Sequence, residues 1–279
     1  MVYSIDYIIF IFALLVLGLS SAFDIKSREV PQFLLYILIF GSVLLCVFKF
    51  IFTGSLSSIE YLPVSLALLF GFSYLMYISG QWAGGDVQIM LGLSFLFTSA
   101  NISSNMSFVS LFINIMIAGG VYGLFGTLIM GIIKYKRLKK YLKFYDVPIV
   151  VLGAIAIASS FILLPLPLNL FIPAILFLLV SMRYMYLIST TVVFVKTPSA
   201  KLEEGDWIAE EIRDHEGKLV VRPKATGLSK RDIEKIKSNN IREVLVKIGL
   251  PFIPGIFLGV LITVLLGNPL LSIFLSSLP

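Results

Sequence analysis

Apolar residues run almost unbroken over 4–23, 31–53, 61–80, 107–133, 147–166, 168–195 and 249–267, with short polar punctuation between them. A shorter run, 87–100, follows Gly84-Gly85-Asp86. A bilayer core about 30 Å thick needs roughly 20 apolar residues per helix. The pattern therefore predicts an all-α polytopic membrane protein, a bundle of about eight transmembrane helices. Pro165, Pro167 and Asn169 divide 147–195 into two helices, since proline breaks the helical hydrogen-bond ladder. The one sizeable polar stretch is 196–248. It predicts a small α/β appendage: Leu219-Val220-Val221 reads as a strand after the Glu216-Gly217 turn. Ser229 with Asp232 reads as a capping box opening a helix to about Lys237. The expected organisation is a transmembrane bundle over 1–195, the appendage over 196–248, and a last span with its tail over 249–279. The first run lacks a basic stretch ahead of it and carries Asp6, so it is expected to be a span rather than a cleaved signal.

Composition sharpens this. The chain is 58% hydrophobic and 14% charged, with mean hydropathy +0.98, against roughly 25% charged in soluble domains. A soluble fold of this size has too much surface to hide that much apolar side chain. This excludes a soluble enzyme, a secreted disulfide scaffold and a disordered regulator. There is one cysteine, Cys46, and one histidine, His215. An intrachain disulfide, a multi-cysteine zinc site and clustered-histidine metal chemistry are therefore excluded, and neither a metal nor a cofactor is expected. His215 reads as a polar turn residue.

The charges also orient the spans. Twenty of the 22 bases fall in 24–30, 134–146 and 196–248. With the N-terminus outside, these segments and 80–86 lie on the cytoplasmic side. The net charge of +6 is thus a topology signal and calls for no nucleic-acid partner. The two bases outside these segments are Lys49, expected to snorkel from a helix end, and Arg183, which either pairs inside the bundle or marks a shifted helix boundary.

Six acids lie outside the appendage: Asp6, Asp24, Glu29, Glu60, Asp86 and Asp146. Two stand out. Asp24 ends the first apolar run, ahead of Ile25-Lys26-Ser27-Arg28-Glu29-Val30-Pro31. Asp86 follows Trp82-Ala83-Gly84-Gly85. The topology puts both at the cytoplasmic face, in different loops and at similar depth. Two carboxyls close together cannot both ionise cheaply, so they share a proton. The ionised one can act as general base on a water, and the protonated one can polarise a scissile carbonyl. Gly84 and Gly85 would allow close backbone approach. Two plainer readings stand beside this. Asp24 can terminate a helix and pair with Lys26 or Arg28, and Asp86 can be an N-cap after a glycine turn.

The segment Asp24-Ile25-Lys26-Ser27-Arg28-Glu29-Val30-Pro31 resembles the first motif of type IV prepilin peptidases and archaeal preflagellin peptidases. Ala83-Gly84-Gly85-Asp86 resembles their second motif, Gly-x-Gly-Asp, with Ala83 at the first glycine. Glu204-Gly205-Asp206-Trp207-Ile208 and Lys247-Ile248-Gly249-Leu250-Pro251-Phe252-Ile253-Pro254 look archaeal in type. The resemblance implies a membrane aspartic endopeptidase with Asp24 and Asp86 as its catalytic pair. Gly84, Gly85, Lys26, Arg28 and Glu29 would support the motifs or bind substrate. The partners implied are prepilin-like or archaellin precursors, whose short basic leader is removed at the cytoplasmic face of the cell membrane. Gln88 stands where the family often has Lys. The bacterial cysteine-pair zinc segment is absent, so peptidase activity without N-methylation is expected.

Other assignments compete. Glu29, Glu203, Glu204, Asp206, Glu210 and Glu211 are placed to attract a basic leader, or serve equally as solubilising charges. Lys26 and Arg28 can tune Asp24 or meet membrane lipid phosphates. Tyr145-Asp146 superficially fits the presenilin type of intramembrane protease. It follows the Gly-x-Gly-Asp-like motif instead of preceding it, so Asp146 is assigned to the basic loop. The alternatives from other classes are a polytopic transporter, to which Arg183 would be relevant, and a non-catalytic membrane scaffold docking through 196–248.

Overall fold

A computed structural model describes residues 2–54, 59–99, 107–144, 146–165 and 168–268. It is mostly helical with a small sheet region. α1 (Val2–Ser27) and α2 (Gln32–Thr53) lead into α3 (Leu62–Ser65), a π turn over Leu66–Gly71, and α4 (Phe72–Ile78). Then come α5 (Gly84–Ser99), α6 (Ser107–Ile133), the short α7 (Tyr135–Leu138), α8 (Asp146–Leu163) and α9 (Leu168–Leu187). The break predicted at Pro165, Pro167 and Asn169 falls between α8 and the start of α9; Pro167 itself lies outside the described residues. The polar stretch holds β1 (Phe194–Pro198), β2 (Trp207–Ile208), β3 (Ile212–Arg213), β4 (Leu219–Val221), α10 (Lys230–Ser238) and β5 (Glu243–Lys247), followed by α11 (Ile253–Leu266).

Four segments among the described residues are long and apolar enough to cross a bilayer: Ile5–Ser27, Gln32–Thr53, Ser107–Ile133 and Ile172–Val192. The apolar pattern predicts about eight. Leu62–Ile78, Asp146–Ser160 and Ile253–Leu266 are apolar but shorter, and the run at 87–100 lies in the 16-residue α5. At 1.5 Å per residue such a helix rises only about 24 Å, less than the roughly 30 Å of a bilayer core.

The chain packs as two compact units. One holds 1–123, 197–244 and 249–279; the other holds 124–196 and 245–248. In the first, α1 packs on α2 and α11, and α2 packs along α5. Ile9, Leu17, Leu38, Leu93, Phe97, Ile256 and Val260 are fully buried at its centre. Glycines let α11 press against α6. A Cβ on Gly255 would sit 2.9 Å from the Gly119 Cα, and one on Gly259 would sit 2.6 Å from the Ile115 Cα. The outer faces of α1 and α2 stay apolar and exposed, with Ile8, Ile11, Leu15, Phe40, Leu44 and Ile51 all outward. Exposed apolar surface of this extent marks contact with lipid, and together with the long apolar helices it makes this a multi-pass membrane protein.

Lys49 does not snorkel. Its ammonium donates to the Asp6 carboxylate at 2.5 Å, and both residues are buried between α1 and α2. Asp6 supplies a partner at the same depth, and a buried charge is tolerated only when paired.

The polar stretch folds locally as its pattern indicates. β3 and β4 form an antiparallel hairpin pairing Ile212 with Val221, and the exposed His215 lies in its turn. Ser229 and Asp232 close the capping box at the start of α10. Lys224 donates to Asp232 at 2.6 Å, while Ile233 and Ile236 turn inward.

In the second unit α8 packs along α9. Asp146 opens α8 and is fully buried, so it is not a solvated loop charge. Arg183 donates to it at 2.9 Å, and the Tyr184 hydroxyl donates to its carbonyl at 3.1 Å. Arg183 is thus paired across two helices.

Candidate active site

α1 runs past its apolar stretch to Ser27, so Asp24 sits inside the last turn and does not end the helix. Arg28 stops it. Its backbone is left-handed (φ 61°) and its amide donates to the Asp24 carbonyl at 2.9 Å. Glycine usually fills this position, because a side chain there costs about 1–2 kcal/mol. Arg28 uses its side chain: Nη1 donates to the Gly249 carbonyl at 2.7 Å. Lys26 is exposed.

The Asp24 side chain is buried at 7% exposure. Its Oδ2 accepts the amide of Ile253, the first residue of α11, at 3.0 Å. The helix-terminating, Arg28-paired reading of Asp24 is therefore corrected: α1 continues past it, Arg28 binds Gly249, and the carboxylate is met by backbone of a distant segment.

Asp86 is buried at 6% exposure in the first turn of α5. Its Oδ2 accepts the Ala83 amide at 2.9 Å, and its own amide donates to the Ala83 carbonyl at 3.2 Å. Ala83 therefore stands at the N-cap and Asp86 at the third helical position. A carboxylate there satisfies a free amide and complements the helix dipole. The packing of α2 on α5 sets the depth of this turn. Gly84 and Gly85 are not forced by the protein's own packing. An added Cβ would meet only the Tyr77 ring and the Leu35 side chain, each at 3.9 Å. Gln88, two residues after Asp86, accepts a hydrogen bond from Gln32 Nε2 at 2.7 Å.

Both aspartates belong to the same compact unit, and the charge of Asp24 acts on Asp86. It also acts on Tyr122 of α6. Two carboxyls that interact cannot both ionise cheaply in a buried setting. The loop ahead of Asp86 is held by aromatics: Trp82 packs on Phe252 with ring centres 4.9 Å apart, and on Phe72 at 5.9 Å.

Glu29 meets other acids. A hydrogen bond with Glu203, then burial, then the charges of Glu203 and Asp206 push its carboxyl up to about 7. Gly80 brings the second motif's approach against the polar stretch. Its φ is 71°, and a Cβ there would lie 3.2 Å from the Ala225 backbone. Among the described residues no group of His, Cys, Asp and Glu is arranged to hold a metal ion.

Sequence reasoning overlooked Trp82, Tyr122, Phe252 and Ile253 as neighbours of the aspartates. A tryptophan just ahead of the second motif was a usable signal. The amide of Ile253 leaves no trace in side-chain chemistry.

Residues 9–124 match the type IV leader peptidase family, in agreement with the resemblance carried by the two motifs. No curated protein and no solved structure matches the chain.

Proposed function

We propose, from a type IV leader peptidase match spanning both aspartate motifs and the apolar helices around them, that this is a leader-peptidase-like protease of the membrane, an aspartic endopeptidase whose dyad is Asp24 and Asp86. Its substrates are precursors of prepilin or archaellin type, cut after a short basic leader at the cytoplasmic face. The observation that carries this reading is that two carboxyls from separate motifs are both buried in one compact unit.

The reaction follows from that pair. One carboxylate takes a proton from a water, which attacks the scissile carbonyl. The other, protonated, hydrogen-bonds the carbonyl oxygen and then donates to the leaving amine. Gly84 and Gly85, which lack side chains, would let an extended substrate backbone approach Asp86 closely. On this reading the bundle has about eight spans, α5 among them, and the bases of 134–146 and 196–248 face the cytoplasm.

The test is cleavage of a tagged precursor co-expressed with the wild-type chain, Asp24→Ala or Asp86→Ala. The proposal expects mature product only with wild type. Full processing by either variant would overturn it.

A further inference from the structure

The segment between the polar stretch and α11, Gly249-Leu250-Pro251-Phe252, touches both aspartate loops. The Gly249 carbonyl accepts the Arg28 guanidinium at 2.7 Å. Phe252 stacks on Trp82 of the second loop at 4.9 Å. The next amide, from Ile253, donates to Asp24 at 3.0 Å. These contacts lie within one compact unit. They join 249–253, which the family match to 9–124 does not reach, to residues at least 170 positions away in the chain.

We propose that 249–253 is a third element of the dyad site, with Arg28 and Phe252 as positioning residues that hold the two aspartate loops in register. This rests on the reading of Asp24 and Asp86 as the dyad.

First, Asp24 alone cannot fix its carboxylate rotamer at a helix end; an amide on a packed helix can. α11 is anchored by the close approach of Gly255 and Gly259 to α6, so the Ile253 amide is a fixed point. Second, Arg28 accepts a backbone conformation that favours glycine while its side chain ties down the segment carrying that amide. A broken local rule with a compensating contact is what a functional constraint produces. Third, Phe252 faces Trp82, four residues ahead of Asp86. Movement of 249–253 would therefore shift both carboxylates relative to each other. Misplacement of a reacting group by about 1 Å can cost a hundredfold in rate.

The experiment uses the full chain in lipid nanodiscs and a synthetic precursor peptide with a basic leader and an apolar segment. Phe252→Ala and Arg28→Gly are compared with wild type, Asp24→Asn and Asp86→Asn. Glycine suits the backbone at 28, so Arg28→Gly leaves the turn unstrained while it removes the side-chain tie together with the charge that acts on Asp24. The expected result is a fall in kcat of about a hundredfold in each, with KM unchanged. Phe252→Tyr, which keeps the ring, and Arg28→Lys, which keeps a donor, should recover most of the rate. Wild-type kcat in Phe252→Ala and Arg28→Gly, with both aspartate variants inactive, overturns the positioning role and leaves the dyad standing. Cleavage by the aspartate variants overturns the dyad itself. If Phe252→Ala unfolds, Arg28→Gly decides by the same criterion. A loss that appears in KM alone, or that Arg28→Lys and Phe252→Tyr leave unrepaired, also counts against positioning.

Discussion

The Asp24 carboxylate accepts the amide of Ile253 across 229 positions of sequence. Asp86, by contrast, is held by the amide of Ala83, three residues away. One proposed catalytic group therefore depends on a long-range contact and the other on a local helix cap. Perturbations far from the motifs should act through Asp24.

Asp24→Asn and Asp86→Asn should each lower precursor cleavage by about 10²–10⁴-fold, the usual contribution of a positioned acid or base. Asparagine keeps size and burial, so thermal unfolding of the purified variants should stay near wild type. Rates measured under single turnover check this. Near-wild-type cleavage by either variant contradicts the dyad.

The Glu29 carboxyl is raised to about 7, first by its hydrogen bond to Glu203. Its ordinary value is 4.5, so between those values the folded state binds more protons than the unfolded one. The stabilising contribution is therefore full below about pH 4.5 and is lost as pH rises through about 7. Melting temperatures from pH 5 to 8 should fall across that window in wild type. In Glu29→Gln that part of the fall should disappear. An unchanged profile in the variant would show that Glu29 is not the titrating group.

Gly259→Ala should destabilise the protein by about 1–3 kcal/mol, the range for overpacking a filled site. Its Cβ would press on the Ile115 backbone. Because α11 carries Ile253, cleavage should fall as well. Gly120→Ala on α6 is the control. A Cβ there meets nothing within 4 Å, and replacing a helical glycine gains about 0.5–1 kcal/mol. Equal behaviour of the two variants in thermal unfolding would refute the close approach of α11 to α6.

Breaking the buried pair of Asp6 and Lys49 should be costly. Lys49→Met alone is expected to lose about 3–5 kcal/mol, since it leaves a buried charge uncompensated. The double variant Asp6→Leu with Lys49→Met should recover most of that loss, because apolar replacements of a buried ion pair are often neutral. Thermal unfolding of the three proteins supplies the comparison. A single variant as stable as wild type would show that the pair contributes little.

Several local features were legible in the residues. The capping box at Ser229 and Asp232, the strand at Leu219-Val220-Val221 and the helix break after Leu163 all appear as the pattern indicates. Each depends on contacts within a few residues, so composition and spacing carry it. The fates of Lys49, Arg183 and Asp146 were not legible. Their partners lie 37 or 43 positions away on another helix, and an apolar run does not state which face its rare charge occupies. Among the described residues four helices meet the length and apolarity of a crossing, and the shorter apolar helices leave the expected count of about eight unconfirmed.

That this chain lives in a membrane, and that Asp24 and Asp86 stand apart from its other acids, was already written in the order of its residues. Both conclusions follow from quantities a one-dimensional string contains: total apolar surface, the placement of scarce charges, and two short motifs. What surrounds those carboxyls emerges only on folding. The amide of Ile253, the ring of Phe252 and the guanidinium of Arg28 reach the site through packing of α11 on α1 and α6. A backbone amide is the same in every residue but proline. Which one meets Asp24 depends on how close glycines let two helices approach, and that distance exists only in the folded chain.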